Sequence, residues 1–172
     1  MRVYQEYASS SNLTVTALHS LAASSTFLSG WSSGTIDNTT DRHTDKVVSA
    51  KFILASANLS TTGEIRVYAY AMLDDSNWPD LFSSGTEGTE GAASVHDTEQ
   101  ASSGLKLLWS TATDNTNADP HNMPPTSIAT VFGFMPAKFA LYITGTAATS
   151  TNAQFAASGN QVTVKGLYET VS

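Results

Sequence analysis

Residues 64–73 read EIRVYAYAML, and residues 137–144 read AKFALYIT. In the first run Ile65, Val67, Ala69 and Ala71 alternate with Arg66, Tyr68 and Tyr70. In the second Phe139, Leu141 and Ile143 alternate with Lys138 and Tyr142. An apolar residue at every second position is the rhythm of a strand with one face on a core, the pattern of antiparallel sheets. Neither run has the 3.6-residue rhythm of an amphipathic helix.

The same rhythm recurs outward from these two runs. Residues 46–55 (KVVSAKFILA) place Val48, Ala50, Phe52 and Leu54 on one face. Residues 13–21 offer Leu13, Val15 and Ala17, and residues 104–110 offer Leu105, Leu107 and Trp109. Residues 126–135 align Ile128, Phe132 and Phe134. Residues 160–171 begin with Val162 and Val164 inward; at Gly166 the alternation becomes ambiguous, which predicts a bulge or a close backbone approach. Turn chemistry fills the gaps at Ser32-Ser33-Gly34, Thr61-Thr62-Gly63, Ser103-Gly104 and Ser158-Gly159-Asn160, the last being the best hairpin turn. Residues 18–28 could line a helix with Leu18, Leu21 and Leu28, but their Ser/Thr density argues against it.

A chain of 172 residues suits one domain, 1–172. The expected architecture is an all-β antiparallel sandwich of about eight strands with long loops, a jelly roll being the commonest form. An N-terminal arm of about residues 1–10 precedes it. Two insertions, near 74–103 and 111–125, carry no strand pattern.

Charged residues are only 13% of the chain, against 41% hydrophobic, which excludes a helical bundle and charged disorder. A net charge of −7 with 8 basic residues disfavours nucleic acid as a partner. There is no cysteine, hence no disulfide frame and no thiolate metal site. No apolar run follows Arg2, so no signal peptide is expected, and no stretch is apolar enough to span a membrane.

Catalytic motifs are missing: no G-x-S-x-G elbow, no P-loop, no G-x-G-x-x-G, no H-E-x-x-H. The chain is therefore not expected to be an enzyme, and no cofactor is expected. Asp37, Asp41, His43 and Asp45 fall within one loop whose carboxylate density suits a cation. Their spacing departs from an EF-hand, and Asx turns in a solvated loop are the favoured reading, so no metal site is assigned. Asp114, Asp119 and His121 read the same way. The sequons at Asn12, Asn38 and Asn58 are expected to be unmodified.

The aromatic residues carry more. Trp109 alternates with Leu105 and Leu107 and belongs in the core. Trp78 and Phe82 sit in the first insertion, and they either fold back to cap the sandwich or anchor a partner; Trp31 poses the same choice. Tyr68 and Tyr70, with Arg66, give the outward face of their strand an interface composition.

Three segments resemble small structural proteins of tailed bacteriophages. One runs from Leu21 to Ser25 and on to Asp37-Asn38-Thr39-Thr40. The second is GEIRVYAYAMLDDSNWPD, an aromatic strand followed by an Asp-rich, Trp-bearing insertion. The third is the C-terminal stretch with Pro136, Lys138, Phe139, Ser158, Gly159, Asn160, Gly166 and Tyr168. Phe139 stands where that family commonly has Trp. The resemblance implies a virion component on the outer capsid surface, a jelly-roll decoration or cement protein. The expected partners are the major capsid protein and further copies of this chain as a dimer or trimer. It implies a clamp made by loops and termini: Tyr4 and Tyr7 in the arm, Trp78 and Phe82 in the insertion, and Met123 in the proline loop. The alternative is a tail, neck or fibre-associated module binding a host glycan, with Trp78 stacking on sugar beside Asp74 and Asp75.

Overall fold

The computed structural model describes residues 2–55, 63–113, 119–146 and 154–171. The Asn58 sequon, Thr61, Thr62 and Asp114 lie outside these ranges. In chain order the elements are β1 (Val3–Tyr7), β2 (Ser11–Asn12), a 3₁₀ turn (Thr16–Leu18), β3 (Ser29–Ser32), β4 (Ile36–Asp37), β5 (Asp45–Phe52), β6 (Glu64–Ala71), β7 (Phe82–Ser84) and β8 (Gly91–Val95). There follow α1 (Thr98–Gly104), β9 (Lys106–Ala112), β10 (His121–Ser127), α2 (Ile128–Phe132), β11 (Lys138–Thr146) and β12 (Gln161–Val171).

The strands form two antiparallel sheets. The first has the order β1-β12-β5-β10, with β2 also on β12; the second has the order β7-β8-β3-β11-β6-β9, with β4 on β11. The two orders are linked. Each strand of β1-β12-β5-β10 is joined across the sandwich to the strand at the matching place in β3-β11-β6-β9: β1/β2 to β3, β12 to β11, β5 to β6, β10 to β9. Four ribbons folded across two sheets are a jelly roll. Among the described residues eight strands make this frame, and β2, β4, β7 and β8 are additions to it.

The main core lies between the sheets and contains the alternating residues read from the sequence: Val48, Phe52 and Leu54 of the β5 run, Ile65 and Val67 of β6, Phe139, Leu141 and Ile143 of β11, and Val162 and Val164 of β12. Trp109 packs on it and stacks on Phe52 with ring centroids 6.0 Å apart. A second core covers the opposite face of β6 and β11. There Tyr70, Ala140 and Tyr142 are buried under Leu81, Phe82, Val95 and Leu105. This is why β11 is buried on both faces through its middle.

Several expectations change. The insertion at 74–103 is not strandless. It carries β7, β8 and α1 and covers the face expected to be the outward Tyr68/Tyr70 surface. The insertion at 111–125 is shortened by β9 at one end and β10 at the other. Residues 126–135 hold the end of β10 and then α2, not one strand. Ser127 caps α2 by accepting from the Thr130 N–H, and Gly133, at φ 78°, ends it. The fit of Ile128 and Phe132 to a strand arose because a spacing of four satisfies both periods. Residues 13–21 are not a strand but a coil with the 3₁₀ turn, although Leu13, Val15, Ala17 and Leu21 still pack on the core. In β9 a register shift opposite Val67/Tyr68 breaks the alternation, so Leu105 and Trp109 serve different cores, and Leu107 is exposed. Ser158-Gly159-Asn160 is not a hairpin turn, since β11 and β12 lie in different sheets. Asn160 instead binds the end of β5, accepting from the Ile53 N–H and donating to the Ala156 carbonyl.

Candidate functional site

Of the residues singled out as interface candidates, the fold takes three into its cores. Trp31 is fully buried, and its indole N–H donates to Glu90 Oε1 at 2.9 Å. Phe82 is buried against Tyr70 and Tyr142, with ring centroids 5.5 and 5.7 Å away. Met123 is buried in the main core because β10 turns it inward against β5. For Trp31 and Phe82 this decides between the two expected roles in favour of the core, and for Met123 it replaces the expected clamp; in each case a large apolar side chain found a place among others, which removes it from water at about 25 cal/mol per Å². Trp78 is half-buried, its ring tilted 62° against that of Tyr70 with centroids 5.3 Å apart. Asp74 is spent on its own turn, Oδ1 accepting from the Ser76 and Asn77 N–H groups and Oδ2 from the Asn77 amide. Those donors hold its carboxyl below the usual carboxylate range, the Asn77 side chain contributing most.

The carboxylates of the 37–45 loop point to separate tasks. Asp37 Oδ1 accepts from the backbone N–H and hydroxyl of Thr39, Asp45 Oδ1 accepts from the Ala129 N–H, and Asp41 lies 3.8 Å from both His43 and Lys46. The hydroxyl of Thr39 is the main reason that the Asp37 pKa is lowered. Asn38 is buried, with both side-chain polar atoms on the His43 backbone. Among the described residues no three His, Asp or Glu side chains gather as a metal site would need.

Tyr4 and Tyr7 are exposed on β1, and they belong to a larger pattern. Among the described residues the large apolar side chains left exposed are Val3, Tyr4, Tyr7, Leu73, Leu107, Phe134 and Val171. All but Leu107 gather at one end of the roll. The registers Asp45↔Leu167, Val47↔Ser127, Lys138↔Asp37 and Phe139↔Ala71 bring to that end the start of β5, the end of β10, the start of β11 and the end of β6. Leu73 follows β6, and Phe134 follows α2. They are 73% and 63% exposed, on the rim of a cleft of about 480 Å³ whose walls include Thr39, Met72, Asp75 and Lys138. Gly133, in its left-handed conformation, turns the chain so that Phe134 stands out from the body.

The β1–β12 ribbon leaves from the same end. Val3 pairs with Val171 and Tyr7 with Leu167, and every residue of β1 is exposed. Glu6 is held across the ribbon by the Tyr168 and Thr170 hydroxyls at 3.1 Å, and Lys165 lies over the Tyr7 ring at 4.8 Å. At the base of the ribbon the His43 ring lies against Gly166 where a Cβ would stand. The register there is unbroken, so the ambiguity at Gly166 is a close approach and not a bulge. Leu73 and Phe134 had no signal of their own in the sequence. One reads as the tail of a strand and the other as part of one.

Fold and surface together define a jelly-roll sandwich whose exposed large apolar side chains, Leu107 apart, lie at one end among the described residues. No family model and no curated protein matches the sequence. Two solved structures align over 98% of this chain at 13% identity: infectious bursal disease virus strain Gt, at a TM-score of 0.37, and the VP2 subviral particle of infectious bursal disease virus, at 0.21. This chain spans 39% and 40% of those two chains. At such scores neither likeness bears on function.

Proposed function

We propose that this chain is a virion structural protein, a decoration or cement protein that binds the outside of an assembled phage head. The observation that carries the reading is that, among the described residues, all the exposed large apolar side chains but Leu107 collect at one end of the roll. Monomeric proteins rarely leave such side chains together unless they meet a partner. The phage-protein resemblance of three sequence segments supplies the partner, the major capsid protein. A cement protein binds the assembled shell and not its free subunits, and so stabilises the assembled state by mass action. Many copies on one shell act together. A net charge of −7 and a Ser/Thr-rich exterior keep the decorated particle soluble.

The test is binding of the purified chain to undecorated heads and, separately, to unassembled capsid protein. Saturable binding to heads alone is expected. The double variant Leu73→Ser/Phe134→Ser should lower head affinity tenfold or more, about 1.4 kcal/mol, while its melting temperature stays near that of the parent. Equal binding to free subunits, or no binding to heads, contradicts the reading. The tail, neck or fibre alternative then gains, although a sugar platform on Trp78 and Asp74 finds both residues already engaged.

A further inference from the structure

We infer that β1 is a pairing edge for a second copy of this chain, joined antiparallel about a two-fold axis at Gln5. This does not rest on the virion reading.

The argument begins with the other edges. Edge strands invite pairing, and proteins blunt them with Pro, bulges, Lys or shortness. At the far edge of the first sheet β10 carries Pro124, Pro125 and a register shift. In the second sheet β7 has three residues and a shift, and β9 begins with Lys106 and also shifts. β1 has five residues in unbroken register, with no Pro and no Lys. Its one charge, Glu6, is bound by the Tyr168 and Thr170 hydroxyls of its own ribbon; among the described strands that end the two sheets, β1 is the one without Pro, Lys or a register shift.

Its hydrogen-bonding groups fix which residues pair. The Ala8 N–H donates to the Gly166 carbonyl, so Ala8/Gly166 is a hydrogen-bonded pair. By alternation Glu6/Tyr168 and Tyr4/Thr170 are also such pairs. Val3, Gln5 and Tyr7 then turn their N–H and C=O groups away from β12. A two-fold at Gln5 pairs all three, Val3 with Tyr7 of the second copy and Gln5 with its mate.

The side chains agree with that register. On one face it makes a row Leu167–Tyr7–Val3–Val171 across four strands, the last two from the second copy, and the symmetric row beside it. Between them runs Glu169–Gln5–Gln5–Glu169. Apolar stands beside apolar, as favourable cross-strand pairs require. On the other face Tyr4 comes opposite Glu6 of the second copy, the same pair type as the observed Tyr168–Glu6 bond. The two Glu6 carboxylates come diagonal to each other; each is held by its own Tyr168 and Thr170, and each has Arg2 of the other copy on its second diagonal. Moving the two-fold to Tyr4 would set Val3 against Gln5 and break the rows. A two-fold at Glu6 would oppose two carboxylates. These differences favour a second copy at this register over an unrelated strand.

Gln5→Pro tests it, because the Gln5 N–H faces the free edge and its loss spares the β1–β12 ladder. Sedimentation equilibrium should give twice the chain mass for the parent and the single-chain mass for Gln5→Pro, with unchanged circular dichroism. Gln5→Cys supplies a second readout in a chain without cysteine. Paired Cα atoms about 5.5 Å apart lie within disulfide reach, so mild oxidation should link two copies, whereas Glu169→Cys should not. A parent that sediments as a single chain at every concentration overturns the proposal. So does a dimer that survives Gln5→Pro, or cross-linking at 5 no faster than at 169. If Gln5→Pro fails to fold, the cysteine pair decides.

Discussion

Glu90 shows how one side chain can tie the fold together. Its Oε1 accepts from the Trp31 indole and from the Ala17 N–H, joining the second sheet to the 3₁₀ segment that leads in from the first. Glu90→Ala would leave a fully buried indole N–H without an acceptor, at a cost of about 1–3 kcal/mol. That corresponds to a drop in melting temperature of about 2–4 °C per kcal/mol; Glu90→Gln, which keeps an acceptor, should recover most of it. Asp37 and Asp74 make a pH prediction. Their carboxyls are held below the ordinary value by donors that favour the charged form, so what they contribute is complete above about pH 4 and is lost as pH falls through the lower folded-state value. Carboxyl NMR titration should place both midpoints below the ordinary Asp range; midpoints at or above it would contradict the turn geometry. The sequence showed Asp37 in a carboxylate-dense loop and Asp74 in an Asp-rich insertion. It could not show that Asp74, Glu87, Glu90 and Asp97 bind backbone or indole N–H groups, because their partners are set by folding.

At the scale of elements, β1 and β11 are opposites. β11 is buried on both faces, and Leu141→Ala should cost about 2–5 kcal/mol. β1 is exposed throughout, so removing residues 1–7 should leave circular dichroism and melting temperature close to the parent while abolishing the dimer. A collapse of the fold on that truncation would show the ribbon to be part of the core. The long alternating strands β5, β6, β11 and β12 were legible because their inner faces meet one core. The two helices were not. α1 spans seven residues and buries none, so it has no apolar stripe; its signal is the cap at Asp97, which accepts from the Gln100 N–H. α2 is five residues long, and its signals are Ser127 and Gly133 at its two ends. Caps, not periodicity, were the evidence for both.

At the scale of the molecule, the roll follows from strands that cross between sheets in nested order, which half-apolar runs and long connections had announced. The second core was hidden. Tyr68 and Tyr70 look outward from their own strand, and only the return of residues 78–105 over that face reveals that Tyr70 is interior. The same blindness left Trp31 and Phe82 open between core and interface and put Met123 in a clamp, since an aromatic or Met in a loop or short strand carries no sign of what will cover it. Among the described residues the exposed large apolar side chains other than Leu107 lie at one end, and a dimer through β1 would present its Leu73 and Phe134 rim twice, adding avidity to each attachment. The most direct measurement is the number of copies of this chain per purified particle, relative to the major capsid protein. A cement role predicts a ratio near a simple fraction of the capsid copy number. A ratio lower by an order of magnitude would contradict it and place the chain in the tail.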